Sequence, residues 1–205
     1  MSARRPLALA ATGLALALTL AACGTGGHDT TPTNAASAIA NLDGREADVA
    51  FAQLMIPHHE QAVAMADIAL AKPTGAQVRA LAEQIKAAQD PEIAQMTGWL
   101  SRWGAPTQMA GMGSDGSMDH GSSDMGGMSM DGMMSEQDMT SLAEATGGEF
   151  DRMWLAMMIA HHQGALTMAK QVLTTTDDAD VKTLAEAVVA GQTAEIATMQ
   201  KLLAG

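Results

Sequence analysis

The sequence predicts an all-α protein: a four-helix bundle built from two duplicated helical hairpins joined by a long methionine-rich crossover. Three observations lead there. Hydrophobic residues make up 47% of the chain but aromatics only 2%, with no tyrosine. Alanine, leucine and methionine dominate instead, a palette of helix formers with few β-branched runs. Residues Asp48 to Arg102 align without a gap on Asp151 to Gly205, and about 21 of those 55 positions are identical, which marks an internal duplication. Within each copy the apolar residues recur every three or four positions, the period of a helix with one buried face.

The chain's 205 residues suffice for one medium domain with tails. Arg4 and Arg5 precede an apolar run from Pro6 to Ala22 that is too short to span a bilayer and too soon followed by polar sequence. Residues 1–22 therefore read as an export signal. The run ends in Leu20-Ala21-Ala22-Cys23, which resembles the lipobox of bacterial lipoproteins, where the signal is cut before a cysteine that then carries the lipid. Cys23 is the only cysteine, so it is the expected lipidation site and membrane contact. No thiol is then left for a disulfide or a soft metal. An ordinary secretory signal with a chance cysteine is the alternative. The expected location is the outer face of the cytoplasmic membrane, the periplasm or the cell envelope, by an export route that stays open. Residues 23–43 are small and polar and read as a flexible tether.

The first hairpin is expected over 44–104. Its first helix runs from about Arg45 to Ala71, where Lys72-Pro73-Thr74-Gly75 breaks it. Its second runs from about Ala76 to Trp103, with Leu81, Ile85, Ile93, Met96 and Leu100 at helical spacing and Pro91 expected to kink it or to start a new segment. Residues 105–139 form a linker rich in Met, Gly, Ser and Asp. It lacks helical or strand periodicity, so it is expected to be disordered without a ligand. The second hairpin, 140–205, holds helices over about Gly148–Leu173 and Ala179–Leu203, with Asp177 and Asp178 as cap candidates. Two hairpins of this kind close into one bundle with one long crossover.

The formal charge of −12 argues against a nucleic-acid partner, because phosphate binding needs a basic surface. Removing Arg4 and Arg5 with the signal takes it to about −14 (−12 minus 2). Soft-metal chemistry must come from methionine and histidine. The stretch from Met109 to Met139 alone holds nine of the 18 methionines. A thioether in a glycine-rich segment has no apolar face to pack on. It is, however, a neutral donor suited to Cu(I) and needs no deprotonation. Met112, Met118, Met125, Met128, Met130, Met133, Met134 and His120 are the candidate ligands there. A neutral low-complexity linker, or sacrificial methionines that scavenge oxidants, are the alternatives.

The phrases "MIPHHEQAVAMA", from Met55, and "MIAHHQGALTMA", from Met158, repeat a histidine pair on the apolar side of a helix. Met55 stands i, i+3 and i, i+4 from His58 and His59, roughly 5–6 Å away at Cβ. Met65 lies two turns from His58, on the order of 10 Å, too far for direct sharing of one ion. It is either packing or part of a second site. Met158, His161, His162 and Met168 repeat the pattern. A lone inward histidine is usually a hydrogen-bonded core residue, but four of them, duplicated beside methionines, point to a metal role. The second helices repeat Gln89, Glu92 and Met96 as Gln192, Glu195 and Met199. Glu92 and Glu195 are the expected acceptors for histidine N–H groups, orienting the rings rather than ligating.

These doubled phrases on paired helices resemble the domain of unknown function 305 family, over roughly Asp48 to the C-terminus. The resemblance implies a ferritin-like four-helix fold, export and, for some members, copper binding and copper tolerance. Its pattern maps onto Met55, His58, His59 and Met65, and onto Met158, His161, His162 and Met168. The expected function is therefore Cu(I) buffering, sequestration or delivery by a lipid-anchored extracytoplasmic protein. A copper donor or acceptor protein is its expected partner, copper its ligand, and no catalytic residue is assigned. A ferritin-like di-iron oxidase or iron store is the alternative, although no Glu-x-x-His occurs in the bundle. A structural bundle without metal is the third reading.

Overall fold

A computed structural model describes residues 33–109 and 128–205. The expected export signal 1–22, Cys23, the expected tether up to residue 32, and the candidates Met112, Met118, His120 and Met125 lie outside the described residues.

The fold is all-α. Two residues at Thr33–Asn34 (β1) lead into a short helix, Ala35–Ala40 (α1), and then the two long helices Gly44–Ala71 (α2) and Ala76–Trp103 (α3). After the crossover come Met128–Ser129 (β2), a short helix Glu136–Glu144 (α4), and the long helices Gly147–Val172 (α5) and Ala179–Ala204 (α6). The long helices start and stop within a residue or so of the sequence expectation, because their ends carry strong chemical signals. Gly104 closes α3 at φ 67°, a left-handed cap that glycine adopts without strain. Asp178 caps α6 by accepting from the amides of Asp180 and Val181, which singles it out from Asp177.

Three expectations need correction. Pro91 starts no new segment: α3 is continuous through it, as α2 is through Pro57. The tether reading of 23–43 fails at residues 33–43, where Ile39 of α1 is fully buried in the bundle core. The disordered-linker reading of 105–139 fails at residues 128–139. Thr33 and Asn34 pair with Met128 and Ser129 in a parallel two-residue ladder, and α4 begins with a capping box between Ser135 and Asp138. The apolar contacts that order these pieces are long-range, so no local period announces them.

α2 packs on α3 and α5 on α6 as two hairpins, and the hairpins meet chiefly through α2 and α5. The core is divided. One cluster joins Phe51, Leu54 and Met55 of α2 to Met168, Ala169 and Val172 of α5. The other joins Met65, Ala66 and Ala69 to Phe150, Trp154 and Met158. The first half of α2 thus meets the last half of α5, and the two helices run antiparallel. The Trp154 indole donates to the Met65 carbonyl at 2.9 Å, which fixes that register with the ring's one polar atom satisfied.

Candidate metal centre

The histidine phrases occupy the gap between the two apolar clusters. His58, His59, His161 and His162 are each at most 1% exposed. The rings of His58 and His161 face each other across the α2–α5 contact with centroids 3.8 Å apart and planes tilted by 39°. The centroid of His162 lies 6.5 Å from that of His161. Four imidazoles therefore form one polar layer in the middle of the bundle, not two separate clusters, one in each hairpin.

Each outer imidazole is held from behind. His59 Nε2 donates to Glu92 Oε2 and His162 Nε2 to Glu195 Oε2, both at 2.7 Å. A carboxylate can only accept, so these bonds put a proton on Nε2 and turn Nδ1 away from the glutamate. The inner pair is held differently. His58 Nε2 lies 3.3 Å from the Asp131 carbonyl, while neither nitrogen of His161 has a partner. In all, the Nδ1 atoms of the four histidines and Nε2 of His161 are buried without a hydrogen bond. Such groups cost about 1–3 kcal/mol apiece; of the two His161 nitrogens one is an N–H that lacks an acceptor and the other a lone pair that lacks a donor.

Charge is kept out of the inner pair. Burial first, then neighbouring His59 and His162, push His58 down from 6.5 to about 3, against the opposing pull of the Asp131 carbonyl. His161 is likewise held well below its ordinary value by burial and then by His58, His162 and His59, against a weak pull from the His58 backbone whose geometry falls short of a hydrogen bond. Neutral imidazole is the form a metal ion takes up.

Methionines are buried on both sides of the layer. Met55, Met96 and Met168 are buried in the cluster on one side of the histidines, and Met65, Met158 and Met199 in the cluster on the other. The duplication pairs Met55 with Met158, Met65 with Met168 and Met96 with Met199, so each triad draws on both hairpins. Met65, too far along its own helix to serve His58, joins Met158 of the other half. Met96 and Met199 belong to the triads but are absent from the ligand set expected from sequence. Their i+7 spacing after Gln89 and Gln192 was the available signal. Among the described residues no group of three His, Cys, Asp or Glu side chains is placed to hold a metal ion.

The end of the crossover lies over this layer. Residues 130–134 run across α2 and α5 as a strap, docked by two helix residues that the duplication makes equivalent. On α2, Gln61 clamps Met134 from both sides, donating to its carbonyl at 2.8 Å and accepting from its amide at 2.7 Å. On α5 the same position is Gly164, where a Cβ would overlap the Asp131 carbonyl and stand 3.0 Å from His58 Nε2. Gly132, at φ 83°, sits so close to the backbone of Ala160 and His161 that no side chain fits there either. Met130 and Met134 are partly buried against the two clusters and Met133 is partly buried. Of the crossover candidates these three are brought to the bundle; Met128 is described through its backbone pairing alone.

Fold and centre define a class: a duplicated-hairpin, four-helix protein with a histidine layer inside a methionine-rich core. The model of the domain of unknown function (DUF305) matches residues 48–203, and the chain belongs to the DUF305 family. A DUF305 protein from Streptomyces coelicolor, described as secreted, is similar at a TM-score of 0.67 and 31% identity, over 79% of this chain and 93% of its own. A DUF305 fragment from Deinococcus radiodurans gives 0.64 and 32%, over 77% and 95%. CopM in its Cu(II)-bound form gives 0.61 and 31%, over 76% and 95%, and CopM is also known in Cu(I)-bound, silver-bound and apo forms. No curated protein matches the chain in sequence.

Proposed function

We propose that this protein binds Cu(I) in its interior and buffers, sequesters or delivers it outside the cytoplasm. One observation carries the reading: buried imidazole nitrogens without a hydrogen-bond partner lie between two apolar clusters that each bury three methionines. Thioether with neutral imidazole is a donor set for a soft monovalent ion. Similarity to CopM, whose structures hold Cu(I), Cu(II) and silver, supports it. The carboxylates of half-buried Glu92 and buried Glu195 are engaged with His59 and His162, which disfavours an iron-oxidase reading that needs convergent glutamates.

His161 gives the cleanest test, since neither of its ring nitrogens is hydrogen-bonded. His161→Gln should weaken Ag(I), a redox-stable stand-in for Cu(I), by at least about tenfold, about 1.4 kcal/mol, with apo stability little changed. Unaltered Ag(I) affinity together with lost apo stability would make the layer structural. Anchoring is a separate part of the proposal. Export of a DUF305 relative described as secreted supports an extracytoplasmic location, and among the described residues no helix is long and apolar enough to cross a membrane. Cys23→Ser should move the protein from the membrane to the soluble fraction; unchanged partitioning would sink the lipid anchor.

A further inference from the structure

The copper reading leaves one polar feature unused. Between α3 and α6, which touch each other far less than the paired helices do, lies a cavity of about 40 Å³. Its polar lining comes in duplicated pairs, Gln89 with Gln192 and Glu92 with Glu195, and no lysine, arginine or histidine lines it. Gln89 is 2% and Gln192 5% exposed. Both amide atoms of Gln89 and the Oε1 of Gln192 lack a hydrogen-bond partner. Glu92 gives one oxygen to His59. Glu195 gives one to His162 and accepts from exposed Gln84 on the other at 3.0 Å.

Water alone would satisfy the carboxamides, and the volume admits one or two molecules. It offers the two glutamate side chains hydrogen bonds but no counter-charge, and no lysine or arginine lines the cavity to supply one. Two carboxylates and two carboxamide oxygens around one small cavity form an all-oxygen set, suited to a hard divalent cation that keeps part of its water shell. We propose that this cavity is a second cation site, selective for a hard divalent ion and distinct from the soft histidine–methionine layer it adjoins. Glu92 and Glu195 would join the two sites, each touching a layer histidine while lining the cavity. Occupancy of the outer site then fixes the carboxylates that orient His59 and His162.

Mn(II) is the probe, followed by loss of the free-ion electron paramagnetic resonance signal on titration into the full mature chain. The same sample is titrated separately with Ag(I). We expect one saturable Mn(II) per chain, and at least a tenfold weaker site in Gln89→Leu/Gln192→Leu, which leaves both Glu–His pairs in place. Ag(I) binding should be unchanged in that variant. Should the double leucine variant lose its helicity, Gln89→Glu supplies the second arm: it adds a charged donor and should tighten Mn(II) several-fold. Three results would overturn the proposal: no saturable Mn(II), undiminished binding in a folded leucine variant, or no tightening in Gln89→Glu. Absence of Ag(I) binding in the parent chain, with Mn(II) bound, would sink the copper reading and leave this one standing.

Discussion

The buried imidazoles of His58 and His161, both held neutral by their surroundings, make acid the natural stress on this protein. His58 has a folded value of about 3 against an ordinary 6.5, so the unfolded chain binds the extra proton between those limits. The stability this contributes is fully present above about 6.5 and is lost as the pH falls towards about 3. The slope for one such group approaches 1.4 kcal/mol per pH unit. His161, shifted the same way by burial and its three neighbours, adds to it. Denaturant unfolding of the metal-free protein from pH 7 to pH 4 should therefore show falling stability, and the curve for His58→Gln should be flatter by about that slope. Parallel curves would mean that His58 charges freely in the fold. Soft-metal binding should weaken over the same window, since proton and metal compete for the same lone pairs. None of this was readable from the phrase "PHHEQ" alone. Spacing showed that both histidines fall on the apolar side, but facing His58 to His161 requires the antiparallel meeting of α2 and α5.

The strap shows how a duplicated element is made to do two jobs. Gln61 and Gly164 occupy equivalent positions, yet one provides an amide clamp and the other the absence of a side chain. Both differences serve the same crossover segment. Alanine at 164 favours helix by about 1 kcal/mol in isolation, so α5 itself should not suffer from the change. Its Cβ would instead expel the Asp131 carbonyl. Gly164→Ala should thus keep the helical content while amide hydrogen exchange at Met133 and Met134 rises at least tenfold. The Met133 amide is held by the turn to Met130 at 3.2 Å and the Met134 amide by Gln61. Protection unchanged from the parent would show that the strap is not held by the slot at 164. The alignment offered the clue, a glutamine opposed to a glycine amid matched residues, but its meaning lies in a segment without periodicity. Sequence patterns report faces of regular elements; a backbone strap bonded through carbonyls leaves no such trace.

Across the whole molecule, duplication set the architecture and interleaving set the site. The hairpins, their ends and the inward histidines were readable because caps, Pro-Gly breaks and a gapless 55-residue repeat are local signals. The partners of each methionine were not, since an antiparallel α2–α5 pairing sends Met55 to the cluster of Met168 and Met65 to that of Met158. That exchange makes a prediction which a site confined to each hairpin does not. Leucine has nearly the volume of methionine, so Met→Leu in these clusters should cost under about 1.5 kcal/mol of stability while removing a soft donor. Met55→Leu and Met168→Leu act on one triad from different hairpins. Their effects on Ag(I) affinity should couple, the double variant departing from the sum of the singles by at least about 0.5 kcal/mol. Met55→Leu and Met65→Leu lie on the same helix but in different triads, and should add. The cycle needs only four affinities for each pair, with unfolding curves to show that all variants keep the fold. Coupling between Met55 and Met65, with additivity between Met55 and Met168, would return the site to a single hairpin and undo the interleaved centre.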